Sequence, residues 1–330
     1  MRLPWRLRAP SSLHRLYSTM AEPLADLPKI EKLSSRVIRV LGGNPSKTGT
    51  VHAARCAVAL LSSAAQRTRL NCPFSLGTNT YIVGSGARRI LIDTGEGKPE
   101  WLASLKRVLD DEAITLSAAL ISHWHHDHTQ GVPDLLALSP STAIHKRDPR
   151  PGWHDIADGQ TFAADGATLR AYLCPGHTTD HMAFVLEEED AMFTADNVLG
   201  QGTAVFEDLA VYMKSLEGMA TQFTGRAYPG HGPVIANGPA KVREYIAHRR
   251  QREKQVLDVL GSEKREGEGV GAWTAMQLVM VIYKDYPESL WEPAKAGVLQ
   301  ILRKLEGEGK VVRDGEGEGW KLVGSGKAAL

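Results

Sequence analysis

The sequence predicts an α/β protein in which strands are covered by helices, followed by a small C-terminal module. Apolar runs of strand length alternate along the chain with helical patterns, which is the order of a layered α/β domain. A charged, glycine-rich stretch at Lys264–Gly271 (KREGEGVG) interrupts this alternation and has the composition of a linker. The chain has 330 residues, of which 42% are hydrophobic and 23% are charged, enough for one large domain and a small one.

The large domain is expected over residues 20–262. Short apolar runs predict its strands at Val37–Leu41, Thr80–Val83, Ile90–Ile92, Ala118–Ile121, Leu169–Leu173, Ala183–Leu186 and Met192–Thr194. Longer segments predict helices at Pro99–Asp110, Leu209–Gln222 and Pro239–Leu260. The chemically reactive side chains follow these strands, on loops that a rigid scaffold would hold in place.

Residues 263–330 are predicted to form the linker and a winged-helix-like C-terminal domain. Thr274 is a candidate N-cap for one helix, and Pro293–Leu305 carries the apolar spacing of a second. Two short strands, Lys310–Arg313 and Trp320–Val323, flank a glycine-rich turn. Winged helices often bind nucleic acid, but a cap packed on the large domain explains the same pattern equally well.

Residues 1–19 differ in composition from the rest of the chain. They contain hydroxylated residues and four arginines, and the first acidic residue of the chain is Glu22. This composition, and the resemblance of Arg15–Ser18 to a matrix-processing site, predict a mitochondrial transit peptide. A disordered leader before a start at Met20 is the alternative. The protein is therefore expected in the cytoplasm or in the mitochondrial matrix.

The charge and the cysteine content disfavour some classes of partner. Outside residues 1–19 there are 35 Lys and Arg against 38 Asp and Glu, a net charge of −3 that does not favour non-specific binding to nucleic acid. No apolar run has the length of a membrane span, so no membrane partner is expected. Cys56, Cys72 and Cys174 lack metal-binding or redox spacing, which disfavours a disulfide framework and fits a reducing compartment.

The strongest functional signal is the segment Ser122–His128 (SHWHHDH), which follows a predicted apolar strand. His123 and His125 alternate, so both side chains can point the same way from an extended backbone. Asp127 and His128 come where the chain turns and can point to a second position nearby. So many ionisable residues at the end of an apolar strand would be costly to bury without a metal ion, and these ligand types suit zinc.

Three further candidates stand at strand ends or in tight turns downstream. His177 lies in a Pro-Gly-His turn, Asp196 follows a strand in the sequence FTAD, and His231 lies in a Pro-Gly-His-Gly turn. The glycines beside His231 let the backbone approach a ligand closely. Each residue alone would more often be a turn residue or a satisfied polar group, but their shared position after strands favours a single metal site.

The order His-x-His-x-Asp-His, Pro-Gly-His, strand-end Asp and Pro-Gly-His-Gly resembles the metallo-β-lactamase superfamily, over residues 30–260. The resemblance implies an αβ/βα sandwich with the site at one edge between the sheets, and two metal ions, Zn²⁺, in each chain. The family pattern distributes the ligands as follows: His123, His125 and His177 hold one ion, Asp127, His128 and His231 hold the other, and Asp196 bridges the two.

The resemblance also assigns roles to residues around these ligands. Asp93 matches the family's first motif, whose carboxylate supports the site from behind the ligands. His181 and His248 are expected to support ligands or pack nearby, or else to touch the substrate. Asp127 is expected to be the catalytic residue as well as a ligand. Ala195 stands where glycine is common before the bridging aspartate, a change that is tolerated if this backbone angle is ordinary.

The predicted ligands imply hydrolysis, because zinc lowers the pKa of a bound water from about 15.7 toward about 7 and stabilises the developing oxyanion. This motif does not determine whether the hydroxide attacks a carbonyl carbon or a phosphorus atom, and the superfamily includes both thioesterases and nucleases. The segments Leu91–Trp101, Asp180–Leu209 and Gly225–Ile235 resemble fungal lactamase-like thioesterases, which release polyketides from an acyl carrier protein. They resemble the animal mitochondrial lactamase-like endoribonuclease slightly less.

Two substrate classes therefore compete. A thioester needs little acid catalysis, because a thiolate with a pKa of about 8.5 leaves readily. Single-stranded RNA requires an electropositive groove with stacking aromatic side chains, and aromatic residues are only 6% of the chain. The basic helix Pro239–Leu260 is interrupted by acids, and such a run usually forms a solvated helix face. We expect hydroxide attack on an acyl-carrier-protein thioester, with cleavage of single-stranded RNA as the alternative; the sequence does not specify an oligomeric state.

One segment does not fit the resemblance. Residues 43–47 would continue smoothly into the strand that begins near Thr80 if residues 48–73, rich in Ala, Ser and Arg, were absent. We expect residues 48–73 to be an insertion loop outside the sandwich or a retained intron in the coding sequence. Either origin would leave the metal site largely unaffected.

Overall fold

A computed structural model of the chain describes residues 25–44, 77–263, 271–315 and 317–324. The predicted leader at residues 1–19, the predicted insertion at residues 48–73 and nearly all of the predicted linker at Lys264–Gly271 lie outside these ranges. Within the described ranges, none of the helices combines the length and the apolar character needed to cross a membrane.

The first sheet of the large domain has six strands, which lie in the order β1 to β6. Their bounds are Ile30–Lys32 (β1), Val37–Leu41 (β2), Asn79–Val83 (β3), Arg88–Ile92 (β4), Thr115–Ile121 (β5) and Ala143–Lys146 (β6). The pairs up to β3–β4 are antiparallel, whereas β5 is parallel to both β4 and β6. The carboxyl ends of β4, β5 and β6 therefore meet at one edge, which brings the loops after them together.

The second sheet has five strands in the order β11-β10-β9-β8-β7. Their bounds are Thr161–Ala164 (β7), Ala167–Leu173 (β8), Met182–Leu186 (β9), Ala191–Ala195 (β10) and Ala227–Pro229 (β11). A 3-10 turn at Glu187–Glu189 joins β9 to β10. All pairs are antiparallel except β10 and β11, which are parallel.

Helices cover the outer face of each sheet, and the two inner faces pack together. The helices of the large domain are Pro99–Asp111 (α1), His126–Thr129 (α2), Val132–Leu138 (α3), Leu209–Met219 (α4) and Gly238–Leu260 (α5). Trp101 and Leu105 of α1 pack on the first sheet, and Tyr81, Phe184 and Phe193 lie in the core between the sheets. Side chains of α4 and α5 form a third core against the second sheet. The predicted αβ/βα sandwich is confirmed.

The C-terminal domain has the predicted helix–helix–hairpin order. Its elements are Trp273–Thr274 (β12), Ala275–Ile282 (α6), a 3-10 turn at Glu288–Leu290, Trp291–Gly307 (α7), Val311–Arg313 (β13) and Gly319–Leu322 (β14). Thr274 is the N-cap of α6, and Gln277 completes a capping box with it. Apolar side chains of α6 and α7 belong to the same cluster as those of α4 and α5. The domain is therefore packed against the large domain as a cap.

Two local predictions about helices are corrected. The helix expected at Leu209–Gln222 ends at Met219, and the following residues form a turn. The Gly131-Val132-Pro133 sequence after the histidine segment is typical of a turn, but it begins α3; proline in the first helical turn suits this start because its missing N–H would have no helical partner there.

Candidate metal centre

The structure brings together all seven residues predicted as metal ligands, at the edge where the loops meet. They form two groups, and within each group the candidate ligand atoms lie within 4.8 Å of one another. One group is His123, His125, His177 and Asp196, and the other is Asp127, His128 and His231. The loop and short helix after β5 supply four of these residues, whereas turns after β8, β10 and β11 supply His177, Asp196 and His231.

In the first group three imidazole nitrogens converge. Nδ1 of His125 lies 3.0 Å from Nε2 of His123 and 3.0 Å from Nε2 of His177. Burial lowers the pKa of His123 well below its usual value and lowers the pKa of His125 to about 4. Both rings are therefore neutral near pH 7, which is the state that binds a metal ion.

The second group combines two imidazoles with a carboxylate. Oδ2 of Asp127 lies 3.3 Å from Nε2 of His231 and 3.7 Å from Nε2 of His128. Burial lowers the pKa of His231, but the Asp196 and Asp127 carboxylates outweigh it and raise this pKa to about 9. Burial likewise raises the pKa of Asp127, but His128 and His231 outweigh it and hold this pKa well below the usual range.

Asp196 touches both groups. Its Oδ2 lies 3.3 Å from Nε2 of His231 and 3.6 Å from Nε2 of His177, and its Oδ1 lies 3.5 Å from Nε2 of His128. Nε2 of His128, Nε2 of His231 and Oδ1 of Asp196 are buried without a hydrogen-bond partner. Such an atom costs about 1–3 kcal/mol when left unpaired, and a bound metal ion would provide the missing partner. The donors therefore fit the metal ions that the fold implies.

Asp93 supports the site from behind, where the sequence places it. Its Oδ2 lies 2.8 Å from Nδ1 of His128, which leaves Nε2 of that ring directed at the cluster. Asp93 also accepts hydrogen bonds from the backbone N–H and the hydroxyl of Ser122, each at 2.8 Å. This contact of Ser122 was not predicted, although a hydroxyl residue directly before the histidine motif is a signal for it.

Two polar residues at the start of β3 were also missed. Thr78 donates a hydrogen bond of 2.9 Å from its hydroxyl to Oδ2 of Asp127. Asn79 donates from its side-chain amide to the carbonyls of Pro229 and Gly232, each at 2.9 Å, and so ties the first sheet to the His231 turn. Buried polar residues that open an apolar strand were the available signal, because they need partners.

The turn residues of the second sheet have their own supports. Nδ1 of His177 donates to the carbonyl of Val205 at 2.8 Å. His181 is buried behind Asp196, and its Nε2 accepts a hydrogen bond of 3.3 Å from the backbone N–H of that residue. His248 is half-buried on α5, and burial lowers its pKa to about 4.

Ala195 does not have the ordinary backbone angle under which the sequence expects it to be tolerated in place of glycine. Its φ is +42°, in the left-handed region that favours glycine. The reason is a shift in register between Phe193 and Ala195 where β10 pairs with β11, and the chain turns there into Asp196. Gly230 also faces this carboxylate. A Cβ at position 230 would collide with Asp196, so the close approach requires glycine. The backbone around this carboxylate is thus constrained by the left-handed φ of Ala195 and by the lack of room for a side chain at Gly230.

Comparison with known proteins shows the family. Residues 75–231 match the metallo-beta-lactamase superfamily, and residues 274–320 match the beta-lactamase associated winged helix domain. The chain is 44% identical over 297 residues to "Lactamase-like protein nscB" of Arthroderma gypseum, covering 87% of each protein. It is 42% identical over 308 residues to "Atrochrysone carboxyl ACP thioesterase" of Aspergillus chevalieri, covering 92% of each. The chain therefore belongs to the metallo-β-lactamase superfamily, and it is a hydrolase.

Solved structures share the fold. A beta-lactamase domain protein from Burkholderia ambifaria aligns with a TM-score of 0.66 at 15% identity, over 89% of this chain and 93% of that one. A metallo-beta-lactamase family protein from Thermus thermophilus aligns with a TM-score of 0.58 at 21% identity, over 76% of this chain and 95% of that one. The family and the likeness to fungal lactamase-like proteins, both predicted from motifs, are confirmed.

Proposed function

We propose that this protein is a dinuclear zinc hydrolase that releases a polyketide acid from its thioester on an acyl carrier protein. The observation that carries the proposal is the Asp196 carboxylate, which lies 3.3–3.6 Å from imidazole nitrogens of both ligand groups. A carboxylate between two sets of nitrogen donors is what a pair of ions in one site requires, and imidazole with carboxylate suits zinc. The thioester is supported by the relative named an ACP thioesterase, 42% identical to this chain.

The ligand roles follow the two groups. His123, His125 and His177 would hold one ion, Asp127, His128 and His231 the other, and Asp196 both. When bound, two such ions acidify a water and polarise the oxygen of a carbonyl substrate. Asp93 and Val205 hold the rings of His128 and His177 through Nδ1, so that Nε2 of each is free to bind.

Asp127 has a second role as proton acceptor and donor. Its side chain is 26% exposed, unlike the buried Asp196, so it reaches the open side of the site. Its lowered pKa keeps it ionised at pH 7, so it is free to accept a proton as water adds to the thioester carbonyl carbon; because a carboxylate of low pKa is a weak base, it holds that proton only transiently. The carbon–sulfur bond then breaks, and the carrier thiolate takes that proton. The thiol has a pKa of about 8.5, so the thiolate is a good leaving group. Breaking the carbon–sulfur bond therefore needs little acid catalysis.

Apolar side chains border the candidate site and favour a carbon-rich acyl group. Trp124 is 44% exposed, and its ring lies 4.4 Å from that of His125. Val205 is 48% exposed beside His177. Several basic residues of α5 are paired with acids, which disfavours an electropositive groove for RNA: Lys241–Glu244, Arg250–Glu217 and Lys254–Asp258.

The test is a side-by-side assay of the zinc-loaded full chain, with Asp127→Ala as its control. One reaction contains an aromatic polyketide thioester on an acyl carrier protein, and the other contains labelled single-stranded RNA. We expect metal-dependent release of the acid by the wild-type protein, intact RNA, and no release by Asp127→Ala. RNA fragments with an untouched thioester would replace the proposal by the nuclease, and wild-type rates in Asp127→Ala would refute the site.

A further inference from the structure

We propose that Arg249 of α5 is a positioning residue for the His177 side of the metal site, and that the winged-helix domain supports the same side through Gln300. Both act on the segment Gly202–Asp208, here called the Val205 loop, which leads into α4. The inference rests on the metal site of the proposed function but does not depend on the substrate.

The Val205 loop and the His177 turn hold each other. The carbonyl of Val205 accepts the hydrogen bond from Nδ1 of His177 at 2.8 Å, and the carbonyl of Gly176 accepts one from the N–H of Glu207 at 2.7 Å. With Nδ1 as the donor, Nε2 is the atom without a proton, and it faces Nδ1 of His125. The position of the Val205 carbonyl therefore sets both the tautomer and the direction of the His177 ring.

Arg249 fixes this loop on both sides of Val205. Its Nη2 donates a hydrogen bond of 2.8 Å to the carbonyl of Ala204, the residue before Val205. Its guanidinium lies 4.8 Å from the ring centroid of Phe206, the residue after Val205, and Phe206 stacks on Tyr212 at 5.3 Å. A planar guanidinium can donate in its plane and stack on a ring with its face, which a lysine ammonium cannot do.

The winged-helix domain reaches the other end of the loop. Gln300 of α7 donates from its side-chain amide to the carbonyl of Glu207 at 2.7 Å. The same helix is joined to α5 by an ion pair of 2.9 Å between Lys304 and Glu253, whose side chains are each 11% exposed. In helix-turn-helix proteins that read DNA, the second helix enters the groove. Here α7, the second helix of its domain, contacts α5 and the Val205 loop instead.

The neighbouring Arg250 provides a matched control. Its side chain is 63% exposed and pairs with Glu217 at 2.6 Å, as expected of a solvated helix face. Arg249 and Glu253 depart from that expected face, since Arg249 bonds to a loop carbonyl and Glu253 is buried. Removal of either arginine deletes one positive charge from α5, but only removal of Arg249 deletes contacts to the Val205 loop.

The test is a zinc titration of the full-length, metal-free protein by chelator competition, followed by cobalt absorption spectra of each variant. We expect Arg249→Ala to weaken one of two ion sites by about tenfold and to alter the cobalt spectrum, while the other site keeps its affinity. Arg249→Lys, which keeps the charge but lacks the planar fork, should weaken the same site. Gln300→Ala should weaken it less, and Arg250→Ala should match the wild type.

Site selectivity separates positioning from a general loss of structure, which would weaken both sites or lower the melting temperature alone. If Arg249→Ala does not fold, Arg249→Lys is the deciding variant. Wild-type affinity at both sites in the Arg249 variants would overturn the inference and leave the proposed function intact. A wild-type protein that binds two ions but leaves the thioester uncleaved would overturn the proposed substrate and not this inference. A wild-type protein that binds no zinc would overturn both.

Discussion

The two sheets supply their candidate ligands in different ways. The first sheet places four of them in one continuous segment, from His123 to His128, directly after β5. The second sheet supplies His177, Asp196 and His231 from three separate turns. The continuous segment is held by Asp93 and, at Asp127, by Thr78, whereas each of the three turns is held by a different part of the chain. Local sequence thus brings the ligands of one half of the site together, whereas tertiary packing brings together those of the other half and supports both.

The largest expected effect comes from the residue that joins the two halves. Asp196→Ala should reduce binding of both ions and lower turnover by about a thousandfold, which corresponds to about 4 kcal/mol of transition-state stabilisation. His177→Ala should impair only the group of His123 and His125. Metal content after gel filtration and thioester turnover are the measurements. Two tightly bound ions in Asp196→Ala would contradict the shared position of this carboxylate.

The proton content of the two groups should also distinguish them. In the metal-free protein the pKa of His231 is raised to about 9, so the ring carries a proton at pH 7 that an incoming ion must displace. For this one proton, the apparent affinity at this group should therefore rise about tenfold from pH 7 to pH 8, rise less from pH 8 to pH 9 as the pH reaches the pKa, and fall as the pH falls. His123 and His125 have lowered pKa values and have no proton to release there.

Zinc competition titrations at pH 7, 8 and 9 would measure this difference. One site should strengthen with pH, and the other should change much less. Equal slopes at the two sites would contradict the assignment of protons to the group of Asp127, His128 and His231.

Trp124 tests whether the first-sheet segment also binds substrate. Its exposed ring lies beside His125. Trp124→Ala should raise KM for an aromatic thioester about tenfold, equivalent to about 1.4 kcal/mol, with a smaller change in kcat. Trp124→Phe should recover most of the loss. Val312→Ala, at an exposed apolar residue of β13, is the control and should leave KM unchanged. If kcat for Trp124→Ala fell by as much as KM rose, the substitution would instead have damaged the metal ligands.

What could be predicted from sequence follows the same division. The motif around His123 and His128 was recognisable because its spacing is local, and the longer strands were recognisable from apolar runs. Strands β1, β6, β7 and β11, of three or four residues each, were missed because none stood out as an apolar run, whereas the equally short β13 and β14 were recognised from the glycine-rich turn between them. The turn residues His177 and His231 were candidates because their turns follow strands, but only the family pattern assigned them to two ligand groups, since spacing alone does not bring separate turns together.

The supports of the ligands were the least predictable part. Thr78 contacts Asp127 across 49 residues of sequence, and Arg249 contacts Ala204 across 45. The contact that orients His177 is a backbone carbonyl, which no residue type at position 205 would reveal. Such contacts exist only once the sheets and α5 have packed, so the composition of a segment carries little information about them.

The smallest expected effect concerns the backbone that delivers Asp196 to the shared position. Ala195→Gly should relieve left-handed strain of about 1–2 kcal/mol. It also removes a buried methyl worth about 0.8 kcal/mol and loosens the unfolded chain by about 0.4–1 kcal/mol. These terms nearly cancel, so unfolding should change by less than about 1 kcal/mol, or about 2–4 °C in Tm.

Ala191, buried in the same strand without a positive φ, is the matched control for this substitution. Ala191→Gly incurs both losses and has no strain to relieve, so it should destabilise by about 1–2 kcal/mol. Thermal unfolding of the two metal-free variants would compare them directly. An equal loss in both would mean that Ala195 is not strained. A smaller loss for Ala195→Gly would mean that the backbone directly before Asp196 is strained, so that part of the folding free energy is used to hold this carboxylate between the two ligand groups.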